Sequence, residues 1–144
     1  MKIQYESKNL LIEKVSDIIR YKEDIEFAYI FGSFALVERD HLNRNDFNDV
    51  DIAVYLSKDK VENILSFEME TEAQLEELFH LPFDVRVINE APLSFRFNVI
   101  KSGIVILDKN KSLRTDFEGL TLKEYFDFVH LRNEYLREII NAPV

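Results

Sequence analysis

Four short segments rich in apolar residues constrain the fold of this chain most strongly, because each is too short to form a buried helix of ordinary length. They predict strands at 27–31, 50–56, 83–88 and 104–107. Apolar residues at helical spacing elsewhere predict helices near 8–21, 60–79, 92–103 and 120–140. Ser33 is expected to cap a short helix running toward Arg39, and Ser57 to cap the long one after it. Strands that alternate with helices indicate an α/β fold.

Composition narrows the classes of protein that this chain can represent. Its 144 residues, with three glycines, three prolines and no linker-like stretch, predict a single domain over 1–144. The formal net charge of −9 disfavours extended nucleic-acid binding. The absence of cysteine excludes disulfides and thiolate metal sites. No apolar run is long enough to cross a bilayer and Met1–Ser7 does not resemble a secretory signal, so we expect a cytoplasmic location.

The first motif with chemical meaning is Gly32-Ser33, where the first predicted strand ends and a helix begins. Glycine allows the backbone to approach a ligand closely, and the free amides at a helix N-terminus favour an anion such as a phosphate. A plain turn with a helix cap explains the dipeptide equally well when it is considered alone.

Three aspartates form the second and third motifs. Asp49 and Asp51 are two residues apart at the start of a strand, so their carboxylates are expected to share one side of it. Their mutual repulsion favours a bound cation, and two divalent ions about 4 Å apart would satisfy both. Asp84 lies on the next predicted strand and joins them if the two strands are neighbours. A solvated strand end and an Asp84–Arg86 ion pair are the alternatives.

The order of these motifs resembles the signature of the polymerase-beta-like nucleotidyltransferase superfamily. The small size of the chain and the segments 83–92, 95–97, 101–106, 116–118 and 124–128 are similar to its minimal nucleotidyltransferase (MNT) branch. The resemblance extends from about Lys8 to Ile139. It implies the polymerase-beta-like α/β (α+β) fold, in which helices flank a mixed sheet of four to five strands.

The MNT branch includes MntA-type antitoxins, which are encoded beside HEPN-domain RNase toxins of the HepT type. The resemblance therefore implies an Mg²⁺-dependent adenylyltransferase that moves AMP from ATP to a tyrosine hydroxyl of the cognate toxin and neutralises it. It also implies that Asp49, Asp51 and Asp84 are catalytic and hold two Mg²⁺ ions, and that Gly32 and Ser33 bind ATP. Two alternatives remain: an antitoxin that acts by binding alone, and a small-molecule nucleotidyltransferase of the antibiotic-modifying kind.

The segment between Ser33 and Asp49 departs from the family pattern. Leu36-Val37 replaces the usual Arg-Gly, and the segment is longer than the family norm. It carries Arg39 and Arg44, which would suit contacts with phosphates or with the partner. We favour a different interpretation, in which the segment is a flexible insertion that the rest of the chain does not hold in place.

Two predicted helices carry further patterns. Acidic residues on the helix predicted near 60–79 are expected to form a solvated face. They are Glu68, Glu70, Glu72, Glu76 and Glu77. On the last helix, apolar residues spread wider than one core stripe, so part of its surface is expected to bind the toxin or a second copy of the chain.

Overall fold

Helices and strands alternate along the chain in this computed structural model, which describes residues 7–58 and 62–141. The strands are β1 (Ile25–Phe31), β2 (Val50–Leu56), β3 (Phe83–Val87) and β4 (Ile104–Asp108). The helices are α1 (Lys8–Arg20), α2 (Gly32–Ala35), α3 (Ile64–Phe79), α4 (Leu93–Ser102) and α5 (Lys111–Asn141), with a short 3₁₀ helix at Arg44–Asp46. The predicted α/β fold and its four strands are confirmed.

The four strands form one mixed sheet in the order β3-β2-β1-β4. Strand β1 is antiparallel to β2 and to β4, whereas β2 and β3 are parallel. The face that carries Ala28 and Ile52 packs against α1 and α3, and the face that carries Phe27 and Tyr55 packs against α4 and α5. Because both faces are covered, the strands are apolar over most of their length, which is why they were recognisable in the sequence.

The caps predicted for α2 and α3 and the predicted start of α5 were wrong. Helix α2 ends at Ala35 and is preceded by Phe31, so Ser33 lies within it and does not cap it. Helix α3 begins at Ile64, and the predicted start at 60 lies outside the described residues. The Ser57 hydroxyl donates to Glu26 Oε1 at 2.8 Å, a contact with β1 in place of a cap.

Helix α5 begins nine residues before the predicted start at 120. The Asn110 side chain accepts a hydrogen bond from the Leu113 amide at 3.0 Å and so caps the helix at its true beginning. The first turns carry mostly polar residues, with Leu113 and Phe117 packed against the core. Two apolar positions are too few to show helical periodicity, which explains the error.

Helix α5 is anchored to the sheet only through its first part. The Tyr29 hydroxyl donates to Glu118 Oε1 at 2.7 Å, and Arg114 bonds both Glu118 and Asp108. Burial and the neighbouring Glu118 carboxylate raise the pKa of Tyr29. Beyond this network the helix exposes large apolar side chains, which are Leu120, Phe126, Phe128, Leu131, Tyr135, Leu136, Ile139 and Ile140. Every helix in the described part of the chain is too short or too polar to span a membrane.

Candidate active site

The strand register brings two of the predicted aspartates together. Asp51 pairs with Asp84 across the parallel β2–β3 ladder, and with Phe31 across the antiparallel β1–β2 ladder. Residues directly opposite each other in a sheet project to the same face. The Asp51 and Asp84 side chains therefore lie side by side on the face that also carries Phe31. This adjacency is what the sequence-based interpretation required.

Asp51 and Asp84 form what we call the aspartate row, and their carboxylates repel each other. The pKa of Asp51 is raised from 3.8 to about 6, first because of burial and then because of the charges of Asp84 and Asp49. Asp49 precedes β2 and its side chain is exposed. The arrangement thus concentrates negative charge at the start of two strands, where a cation would stabilise the ionised forms.

Arg86 supplies a positive charge beside this cluster. Its Nε lies 3.0 Å from Asp84 Oδ1, and this contact raises the pKa of Arg86. Both side chains are at least one-third exposed, so the pair contributes little stability. Within residues 7–58 and 62–141, no three Asp, Glu or His side chains converge closely enough to hold a metal ion. The carboxylate oxygens and the negative charge of Asp51 and Asp84 suit a divalent ion such as Mg²⁺. In this structure the Asp84 carboxylate is paired with Arg86 instead.

Gly32 connects the strand to the turn above these carboxylates. Its φ of +72° lies in the left-handed region, and a Cβ atom at this position would overlap Asp51 Oδ2. Both constraints require glycine. The turn therefore holds Gly32 against Asp51 and places Ser33 in the first turn of α2.

The segment after α2 is held in place by side chains from other elements, contrary to the unsupported insertion that we favoured from the sequence. Lys8 Nζ donates to the carbonyls of Ala35 and Val37 at 2.9 and 2.5 Å. Phe47 is buried, and its ring meets the Phe34 ring edge-on with centroids 5.0 Å apart. Burial lowers the pKa of Lys8, while the Asp40 carboxylate partly opposes that effect.

This segment also lies beside Ser33. It lines a cavity of about 550 Å³ together with Ser33. The side chains that surround this cavity include Glu38, Arg39 and Asp46, and Arg39 pairs with Asp46 at 3.5 Å. Arg39 thus lies beside the turn, whereas Arg44 donates to the Phe47 carbonyl at 2.9 Å and holds the segment together.

Three of the acidic residues on α3 do not form the solvated face predicted from the sequence. Glu76, Glu72 and Glu68 accept hydrogen bonds from the backbone amides of Phe83, Val85 and Val87 at 3.1, 2.8 and 2.9 Å. The glutamates are four residues apart on the helix, a rise of about 6 Å, and the amides are two residues apart on the strand, a rise of about 6.6 Å. Because the two spacings match, successive glutamates can bond successive amides of β3. The glutamates satisfy the free edge of β3, the strand that carries Asp84. Their four-residue spacing was the signal that sequence reasoning missed.

Comparison with known proteins agrees with this geometry. The sequence profile of the family described as "Polymerase beta, Nucleotidyltransferase" matches residues 13–112, a range that includes Gly32, Ser33 and the three aspartates. No curated protein matches the chain in sequence.

Several solved structures of similar fold are of toxin–antitoxin complexes. A chain from the complex of a tri-AMPylated HEPN toxin of Shewanella oneidensis with MNT antitoxin has a TM-score of 0.66 and 19% identity, covering 92% of this chain and 98% of that one. A chain from a toxin–antitoxin structure with AMP-PNP has a TM-score of 0.69 and 20% identity, covering 90% and 98%. A chain from an MntA–HepT complex has a TM-score of 0.65 and 18% identity, covering 92% and 98%.

At these identities the structural similarity establishes the fold, and the sequence profile establishes the family. Both agree with the Gly-Ser turn and the aspartate row described above. The chain belongs to the polymerase beta nucleotidyltransferase family.

Proposed function

We propose that this chain is an antitoxin that transfers AMP from ATP to a tyrosine hydroxyl of a cognate HEPN toxin of the HepT type and so neutralises it. The observation that carries this proposal is the row in which Asp51 lies beside Asp84 and beneath Gly32. Support comes from the similar chains, which belong to an AMPylated HEPN toxin complex and to a complex with AMP-PNP.

Each residue of the site has a role in this proposal. Gly32 and Ser33 bind the β- and γ-phosphates of ATP. The acceptor oxygen forms a bond to the α-phosphorus while the bond from that phosphorus to the bridging oxygen breaks, and pyrophosphate leaves. The acceptor proton passes to the Asp84 carboxylate. Positioning and charge neutralisation supply most of the rate, as in other phosphoryl transfers.

Asp49, Asp51 and Asp84 would hold Mg²⁺, as two ions. Their oxygen donors suit this hard cation. The pKa of Asp51 is raised first by burial and then by the charges of Asp84 and Asp49, and a bound cation would oppose both effects. When bound, Mg²⁺ would neutralise the triphosphate and polarise the α-phosphate. Asp51 contributes its carboxylate from inside the strand, where the backbone ladder fixes its direction.

The partner surface that we propose is the second half of α5, whose large apolar side chains are exposed. Such a surface suits the toxin or a second copy of this chain. Leu131→Glu should weaken the complex with the toxin, because it places a charge at the middle of that surface. A cytoplasmic location is also a proposal, which cell fractionation would test.

The test of the function is to incubate the purified chain with its toxin, ATP and Mg²⁺ and to measure the intact mass of the toxin. We expect the toxin to gain the mass of one or more AMP groups, with tandem mass spectrometry locating them on tyrosine. Asp51→Asn should abolish the gain, whereas Asp17→Asn, which changes an exposed acid on α1, should not.

Other outcomes would identify the alternatives. An unmodified toxin in a stable, inactive complex would support an antitoxin that acts by binding alone. Transfer of AMP to a small hydroxylated compound, with no change in the toxin, would support a small-molecule nucleotidyltransferase. AMP transfer by Asp51→Asn at the wild-type rate would overturn the assignment of the catalytic aspartates.

A further inference from the structure

Lys8 is the only charged side chain that is buried within residues 7–58 and 62–141, with 9% of its surface exposed. Lysine is almost never fully buried in proteins, because an ammonium group loses its hydration there. The loss is offset only where the group is paired or forms hydrogen bonds. The contacts of this ammonium group therefore indicate what the residue does.

The Lys8 side chain bonds the end of helix α2. Its Nζ donates to the carbonyls of Ala35 and Val37, at 2.9 and 2.5 Å. The last carbonyls of a helix have no partner farther along it, and the amides of Leu36 and Val37 satisfy only earlier ones. Helix α2 has four residues, far fewer than an isolated helix needs to be stable. Lys8 thus supplies from α1 the hydrogen bonds that α2 cannot make for itself.

The start of α1 also fixes the segment that follows α2. The Lys8 amide donates to the Asp40 carbonyl at 2.6 Å. The Asp40 carboxylate accepts hydrogen bonds from the Asn9 amide at 2.9 Å and from the Ser7 hydroxyl at 2.8 Å. The segment 35–40 is therefore attached to α1 at both of its ends.

Helix α2 is held at its other end by the acid on β2. Gly32 lies against the Asp51 carboxylate, and Phe34 in the middle of the helix is fully buried. Lys8 Nζ lies 5.9 Å from the centre of the Phe34 ring, within the range of a cation–π contact. Ser33 lies between these fixed points. A displacement at the Lys8 end of so short a helix would therefore move Ser33.

We propose that Lys8 is a positioning residue for polyphosphate binding, which holds α2 so that Gly32 and Ser33 stay in place for the β- and γ-phosphates. This inference rests on the proposed function, because that function places these phosphates at Gly32 and Ser33. Lys8 acts through α2 and not on the nucleotide, since its ammonium group is buried and bonded to backbone carbonyls. A ligand that lacks the β- and γ-phosphates should therefore be indifferent to this residue.

Calorimetric titration of the full chain with ATP, inorganic tripolyphosphate and AMP, each with Mg²⁺, tests this proposal. Lys8→Met has a side chain of similar length without a donor. It should weaken the binding of ATP and of tripolyphosphate about tenfold, because hydrogen bonds to the phosphates are misaligned. It should leave AMP binding unchanged. Circular dichroism confirms that each variant is folded at the temperature of the titration.

Lys8→Gln separates the hydrogen bonds from the charge. It removes the same charge but keeps an N–H donor on a side chain one atom shorter, so it should weaken ATP and tripolyphosphate binding only about threefold. If Lys8→Met does not fold, this variant makes the same comparison. Lys14→Met, at a partly exposed position of α1, is the matched control for the loss of one positive charge and should change none of the affinities.

The proposal is overturned if the Lys8 variants bind ATP and tripolyphosphate as the wild type does. It is also overturned if AMP binding falls in parallel, because the defect would then be general, or if the wild type does not bind tripolyphosphate. These titrations contain no toxin. Weakened polyphosphate binding in the Lys8 variants of a chain that transfers no AMP would reject the proposed function alone. AMP transfer to the toxin, with polyphosphate binding indifferent to Lys8, would reject the positioning role alone.

Discussion

Gly32 lies so close to Asp51 that a Cβ atom on residue 32 would overlap the Asp51 carboxylate. The turn that begins α2 and the acid on β2 are therefore one unit, and neither can be repositioned without the other. Gly32→Ala combines this overlap with a left-handed φ of +72°, which costs a non-glycine residue roughly 1–2 kcal/mol. We expect AMP transfer to fall by at least tenfold, measured as labelled AMP incorporated into the toxin. Wild-type activity in this variant would show that the turn tolerates displacement.

Gly119 provides the opposite case on α5. A Cβ atom there would meet nothing within 4 Å, and the residue is exposed within a helix. Gly119→Ala should therefore raise the free energy of unfolding by about 0.5–1 kcal/mol, because alanine loses less backbone entropy on folding. Urea denaturation followed by circular dichroism measures the change. A decrease in stability would mean that this part of α5 is not helical in solution.

The glutamates of α3 lead to a paired prediction. Glu72→Ala removes the acceptor of the Val85 amide and should lower the free energy of unfolding by about 1 kcal/mol. Glu70→Ala, at an exposed position on the same helix, should change it by less than about 0.5 kcal/mol. Chemical denaturation of both variants makes the comparison. Equal effects would show that the β3 edge does not depend on the α3 side chains.

The pKa of Asp51 predicts how stability depends on pH. Because this pKa is about 6 in the folded chain and ordinarily 3.8, the folded state holds an extra proton between these values. The stabilisation that the protonated carboxyl provides is fully present below pH 3.8 and is lost as the pH rises through 6. Asp51→Asn cannot ionise, so its melting temperature should exceed that of the wild type increasingly between pH 4.5 and 7.5.

Thermal melts in the presence of a metal chelator measure this difference without interference from bound cations. Asp17→Asn, on the exposed surface of α1, serves as the control and should follow the wild type throughout. Parallel curves for Asp51→Asn and the wild type would show that Asp51 titrates as an ordinary exposed acid.

The polarity pattern of the sequence determined most of the fold. Runs such as 52–56 are buried on both faces, so they appear as continuous apolar stretches whatever the neighbouring elements are. The motif order around Gly32, Asp49 and Asp84 was also readable, because a glycine and isolated acids stand where these runs begin or end. Helix ends were less predictable. The first turns of α5 are polar and leave little periodic signal.

The tertiary structure decided what depends on contacts between distant residues. Strand register placed Asp84 beside Asp51, and no local pattern specifies the partner of a strand. Lys8 holds the carbonyls at the end of α2 from 27 and 29 residues away. The glutamates of α3 accept hydrogen bonds from backbone amides at the edge of β3, and Asn98 lines a cavity beside Gly32. Such roles arise from through-space geometry, which a sequence encodes only through the complete set of packing interactions.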